Sequence, residues 1–179
     1  GTRLIAGSLD GMIQTWNSQS PYPGRSVAVL ASHERSVRAL LLNSSERSLL
    51  SLARDKSQPC RLWKRTNESE WQADDRLDRQ LARFAPVTAA AWHPSVDTLL
   101  ALGCDDGTVI AIDLDRPENS VTTLRGLSTR ISILKFSPTG RRLAAGTIEG
   151  RISIWNRGQT MFASGILHTL GNLALTTLA

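Results

Sequence analysis

The sequence predicts an all-β chain assembled from a repeated unit, and three observations carry that reading. Four segments recur in order, each a pair of short apolar runs around an acidic turn: residues 4–17, 49–64, 100–113 and 143–156. Trp16, Trp63, Ile112 and Trp155 hold the same place in them, at steps of 47, 49 and 43 residues. A second block, marked by Val37, Val87, Ile131 and Leu175, keeps the same phase at steps of 50, 44 and 44. Such periods belong to architectures in which one supersecondary unit is repeated along the chain.

Taken in order, the elements read as strands on their own chemistry. Leu4-Ile-Ala-Gly and Met12-Ile-Gln-Thr-Trp flank the Asp10-Gly11 turn, and a further strand falls near residues 27–30. Ser36 to Asn43, Leu49 to Ala53 and Cys60 to Lys64 form the next set. Val109-Ile-Ala-Ile and Ile152-Ser-Ile-Trp are short, β-branched and fenced by Asp-Gly, Glu-Gly and Ser-Pro turn signals, as buried strands are. One window, residues 68–83, places Trp71, Leu77, Leu81 and Phe84 near helical spacing. The expectation there is still a long charged loop and then an outer strand, because the chain must return through it to the next unit.

Phe136-Ser-Pro-Thr-Gly140, Leu143-Ala-Ala-Gly, Glu149-Gly150 and Ile152-Ser-Ile-Trp-Asn156 together resemble the tryptophan-aspartate (WD) repeat family, and the resemblance runs through essentially the whole chain. It implies β-propeller blades, each a four-stranded antiparallel sheet lettered a to d. The chain then opens on strand b of a first blade, gives three complete blades and ends on a lone strand a. The parts of this single 1–179 segment fall at about 1–31, 32–84, 85–125, 126–171 and 172–179. The Asp that follows the family's Trp is replaced by Asn17, Lys64 and Asn156, and the third copy has Ile112-Asp113. Seven or eight blades are usual in the family, so the expectation is an arc completed by further chain or by a second copy.

Composition excludes several classes. Apolar stretches such as Ala39 to Leu42 are far below the roughly 18 residues of a membrane span. The start at Gly1 has neither an initiator Met nor a signal pattern. The expectation is a start inside a longer, cytoplasmic protein. Cys60 and Cys104 lie in no metal-binding or redox spacing and read as strand thiols. The net charge of +5 reads as Arg scattered singly at turns and on polar strand faces, a weak sign of nucleic-acid binding.

The resemblance assigns His33, Ser51, Asp55 and Trp63 to one blade's structural hydrogen-bonded tetrad. A Ser, a His and an Asp also invite a hydrolase reading, which the lack of a nucleophile elbow opposes. The other blades lack the set, with Leu127 standing where the fourth would carry its His. His93 and His168 are isolated, and no metal site, cofactor or phosphate loop is expected. By the same resemblance the b–c turns and d–a loops share one rim, where partners dock. Arg35, Arg54, Lys56, Gln58, Arg83, Phe84, Arg125 and Arg130 are the rim candidates, and the enlarged 54–60 turn is expected to project residues 56–59 outward. Trp71 either anchors a partner or covers its own blade.

The leading expectation is a non-enzymatic interaction scaffold, or a ligand-sensing region of a signalling protein, that binds protein or peptide partners. The alternatives are a nucleic-acid-binding propeller and, remotely, a hydrolase.

Overall fold

The computed structural model describes residues 3–17, 19, 21, 28–31, 33–55, 58–67, 70–81, 83–116, 121–158 and 162–169. They fall into two compact units. The first, residues 1–42 and 46–79, holds a three-stranded sheet of β1 (Arg3–Gly7), β2 (Met12–Asn17) and β3 (Ala28–Ala31). Its second sheet is β4 (Val37–Leu42), β5 (Ser48–Ala53), β6 (Cys60–Arg65) and β7 (Trp71–Ala73). The second unit, residues 43–45 and 80–179, contains β8 (Val87–Trp92), β9 (Leu99–Cys104), β10 (Val109–Asp113) and β11 (Thr122–Leu124). Its other sheet is β12 (Ile131–Phe136), β13 (Arg142–Thr147), β14 (Arg151–Arg157) and β15 (Phe162–Thr169). Every sheet is an antiparallel meander with the strand order of a propeller blade, the first lacking strand a among the described residues.

The strand register reproduces the sequence repeat. Trp16 stands opposite Leu4, Trp63 opposite Leu49, Ile112 opposite Leu100 and Trp155 opposite Leu143. An irregularity also recurs near the start of each strand a, between Val37 and Ala39, Val87 and Ala89, and Ile131 and Ile133. A bulge inserts one residue and increases local twist. Its recurrence marks it as part of the repeat. The expected strand at 172–179 lies outside the described residues.

Apolar side chains between sheets hold each unit together. In the first unit Ile13, Leu30, Leu49, Trp63 and Trp71 form one cluster, with Ile5, Val37 and Leu40 packed on it. In the second, Leu134, Phe136, Leu143 and Trp155 pack with Ala101, Val109 and Ile131. All six residues of β9 are buried, which explains why that segment reads as continuously apolar. Removing one large aliphatic side chain of this kind from water is worth about 1.5–3 kcal/mol.

One reading of the 66–84 stretch is corrected, and the two alternatives for Trp71 are decided. The outer strand β7 comes first, at Trp71–Ala73, and is followed by a short helix α1, Arg76–Leu81. Leu77 supplies the reason: it is 1% exposed, so burial of that one side chain fixes the turn of helix. Trp71 is buried in the cluster beside Trp63 and covers its own blade; it is not an exposed anchor.

Candidate functional site

Four side chains of the second blade form a continuous hydrogen-bonded line. Trp63 Nε1 donates to Ser51 Oγ over 3.0 Å, and Ser51 Oγ lies 2.8 Å from His33 Nε2. His33 Nδ1 lies 3.1 Å from Asp55 Oδ2 and 3.2 Å from the Gln58 carbonyl. An indole can only donate, so the Ser51 hydroxyl accepts from Trp63 and passes its own proton to His33 Nε2. His33 is therefore the neutral tautomer with its proton on Nδ1, donated to Asp55 and Gln58. The Glu34 N–H donates to the same Asp55 oxygen at 3.0 Å, which ties the loop before β4 to the turn after β5.

This arrangement has no nucleophile to offer. Ser51 is fully buried and its oxygen is already engaged by Trp63, so no substrate carbonyl can approach it. Burial lowers the His33 pKa from its ordinary value, against the opposing pull of Asp55. In strand b of the other blades, by register, the Ser51 position is taken by Ala6, Leu102 and Ala145. In the fourth blade Leu127 packs against the cluster that contains Ala145 and Trp155. Apolar contact there takes the place of the polar line.

His93, isolated in sequence, is 1% exposed and fully engaged. Its Nδ1 accepts the N–H groups of Ser95 at 3.2 Å and Val96 at 3.0 Å, so the ring proton is on Nε2, facing the Gly140 carbonyl at 3.2 Å. Burial and the neighbouring Arg157 guanidinium lower its pKa. Cys60 and Cys104 are both buried free thiols.

The proposed rim residues divide by unit. In the first unit the Ser8 hydroxyl donates to Asp10, and the Met12 N–H donates to Ser8 Oγ at 3.1 Å. Gly11, at φ 89°, lies so close to the next loop that a Cβ would fall 2.0 Å from the His33 carbonyl oxygen. These contacts fix the β1–β2 turn and leave Leu9 at its tip, 87% exposed. Arg35 and Arg54 are exposed close by in chain terms, the Arg54 N–H donating to the Ser36 carbonyl at 3.1 Å. The enlarged turn does not project Gln58 and Pro59 as expected. Both are half-buried, because the Gln58 carbonyl meets His33 and its side-chain oxygen accepts from Arg61 Nε at 2.9 Å. Lys56 and Ser57 lie outside the described residues.

In the second unit the Arg83 guanidinium stacks over its neighbour Phe84, 5.0 Å from the ring centre. Arg130 pairs with Asp105 at 3.4 Å, and Arg125 is exposed. Ile148, which sequence reading passed over, occupies the tip of the β13–β14 turn and is 53% exposed. Its counterpart Leu9 was missed for the same reason: an apolar residue inside a strand–turn–strand pattern reads as core until the register places it beyond the last pair.

Comparison with known proteins agrees with this architecture. Residues 118–156 match the family described as WD domain, G-beta repeat. The chain is 30% identical over 150 residues to U3 small nucleolar RNA-associated protein 21 of Saccharomyces cerevisiae, covering 84% of this chain and 14% of that protein. It is 28% identical over 171 residues to DNA damage-binding protein 2 of Danio rerio, covering 88% and 33%. The crystal structure of Sqt1 from Chaetomium thermophilum superposes with a TM-score of 0.70 at 18% identity, covering 92% of this chain and 43% of that one. The chain thus spans a third or less of these two relatives.

Proposed function

The chain belongs to the WD-repeat β-propeller proteins, and from that premise we propose that it is a binding platform that engages protein or peptide partners through its turn tips. The observation that carries this reading is the exposure of Leu9 and Ile148, each held out at the tip of a tightly bonded strand b to strand c turn. A large apolar side chain fixed in water on a rigid turn is the kind of group a partner buries with little ordering cost. The polar side chains that could suggest catalysis are engaged internally, as the Ser51 to Asp55 line illustrates. Exposed Arg35 and Arg54 beside the Leu9 turn, and exposed Arg130, whose carbonyl accepts from the Ile148 N–H at 3.1 Å, add charge around such contacts.

A scaffold or sensing role within a larger protein fits the small share of each relative that the chain covers. Cytoplasmic residence and a signalling context remain parts of the proposal. A relative named for small nucleolar RNA offers a nuclear address instead, and a fluorescent fusion distinguishes the two. The direct test replaces Leu9 and Ile148 by Asp, singly and together, and measures recovery of co-purifying proteins beside a thermal melt. Loss of those proteins at unchanged melting temperature supports the platform. Full retention in the double variant refutes the assignment to these tips.

A further inference from the structure

The loop that joins β11 to β12 reads Arg125-Gly-Leu-Ser-Thr-Arg130. It is the counterpart of the loop that enters β4, with Leu127 at the His33 position and Ser128 at the Glu34 position. The two loops are held very differently. In the first unit the His33 N–H donates to the Gly11 carbonyl at 3.2 Å, the Glu34 N–H donates to Asp55, and the His33 ring bonds Ser51 and Asp55. The fourth blade replaces His33 by Leu127, Ser51 by Ala145 and Asp55 by Glu149, whose carboxylate lies 3.8 Å from Arg151. Among the described residues no hydrogen bond then holds 125–129. The first bond comes at Arg130, whose carbonyl accepts from the Ile148 N–H at 3.1 Å.

Packing decides which way the side chains of this loop face. Leu127 is drawn onto the cluster that contains Ala145 and Trp155, and the Thr129 hydroxyl is buried. Gly107 comes so close beneath them that a Cβ on it would fall 2.7 Å from the Thr129 nitrogen and 2.8 Å from the Leu127 carbonyl oxygen. Ser128, between the two, is exposed, and its hydroxyl bonds no described group. Gly126 holds φ 133°, so the chain bends between Arg125 and Ser128 in a way that glycine adopts readily and other residues do not. Arg125, before the bend, is exposed and lies at ion-pair distance from no described carboxylate.

We propose that Ser128 is a phosphorylation site for a protein kinase that selects Arg three residues before the hydroxyl, and that phosphate there releases partners from the Ile148 tip. A guanidinium at that spacing is read by carboxylates of such a kinase through charge-assisted bonds. Spacing alone does not single out the site: Ser57 follows Arg54 and Thr160 follows Arg157 in the same way, and both lie outside the described residues. Among the described hydroxyl residues, Ser128 alone joins that spacing to an exposed, uncommitted oxygen on a loop with few bonds to break when it is drawn out. In the transfer the Ser128 oxygen attacks the γ-phosphorus of ATP, the bond to the departing ADP breaks, and the hydroxyl proton passes to the kinase's catalytic carboxylate.

The release rests on the turn-tip reading given above; the modification does not. Phosphate adds a charge of about −2 only two residues from Arg130. In the unmodified chain Arg130 pairs with Asp105 at 3.4 Å, both side chains being half-exposed, while its carbonyl holds the Ile148 turn. Phosphoserine offers Arg125 and Arg130 a stronger acceptor than the Asp105 carboxylate. Asp105 is then left without its partner, and two anionic groups stand beside the apolar side chain that a partner covers. Burial of Ile148 must now desolvate them.

The test incubates the folded full chain with ATP and an activated calmodulin-dependent protein kinase of that Arg specificity, and locates phosphate by peptide mass spectrometry. The expected result is phosphate on Ser128, at a rate roughly tenfold lower in Arg125→Gln, and none at that position in Ser128→Ala. The free peptide of residues 121–132 should react no more than about tenfold faster than the folded chain, because drawing out the loop costs little. Phosphate on Ser57 or Thr160 but not on Ser128, an Arg125→Gln rate equal to the parent's, or reaction of the peptide alone overturns the site. Phosphorylated and unmodified chains are then compared for recovery of co-purifying proteins. Loss of the proteins that Ile148→Asp also loses supports the release, and their full retention on the phosphorylated chain overturns it. Should Ile148→Asp lose none, the turn-tip reading fails and takes the release with it, while the modification is decided by the first measurement.

Discussion

Gly103 in β9 and Ile131 in β12 approach so closely that a Cβ on the glycine would fall 2.5 Å from Ile131 Cγ2. In the first unit Gly7 and Val37 stand in the same relation, again at 2.5 Å. Each glycine is the place where one blade's strand b admits the β-branched residue that opens the next blade's strand a.

Gly103→Ala is therefore expected to destabilise the second unit by about 1–3 kcal/mol through overpacking. Ile131→Ala in the same chain should recover part of that loss, because it removes the clashing methyl groups. Chemical denaturation of the two single variants and the double variant checks this; strictly additive losses would falsify the packing account.

The tetrad gives a second expectation. His33→Ala removes the main acceptor of the Ser51 proton and one of the two donors to Asp55 Oδ2 in a buried setting, at about 1–3 kcal/mol. Asp55→Ala alone should cost a similar amount, and the pair should be clearly less than additive, because the groups act as one line. A melting temperature unchanged in His33→Ala contradicts a structural role.

Acid should weaken the fold through the same histidines. His33 and His93 both have pKa values lowered from 6.5, chiefly by burial. The unfolded chain then binds more protons than the folded one below pH 6.5, so stability is full above that value and falls as the pH drops toward the lowered folded-state values. His93→Gln should flatten part of this dependence in melts recorded across that window. A melting temperature that rises on acidification through it would reverse the sign and reject the neutral assignments.

Thiol chemistry offers a fourth check. Burial, with Asp106 and Asp105 nearby, pushes the Cys104 thiol up to about 12. Neither Cys104 nor the buried Cys60 should react with a disulfide reagent in the native protein at pH 8, and both should react on unfolding. Fast labelling of the native chain would show that these strands open readily.

Much of the fold was legible because its signals are local. The acidic-Gly turns and the recurring Trp position carried the blade alignment, and the pairing of Trp16, Trp63, Ile112 and Trp155 with Leu4, Leu49, Leu100 and Leu143 repeats it residue for residue. What was less legible depends on tertiary contact. Trp71 sits in a polar stretch, and only packing beside Trp63 turns it inward. Gln58 looks like a loop-tip residue until His33 and Arg61 claim its two oxygens. The outward turn of Ser128 appears only when the packing of Leu127 and the approach of Gly107 are known.

The most direct test of the binding-platform account is site-specific photocrosslinking in cells that express the chain, with a photoreactive phenylalanine at position 9, 148 or 72. Gln72 is exposed on the outer strand β7, away from the turn tips. The account predicts discrete protein adducts from positions 9 and 148 and none from 72. Adducts from 72 alone, or none from either tip, would contradict it.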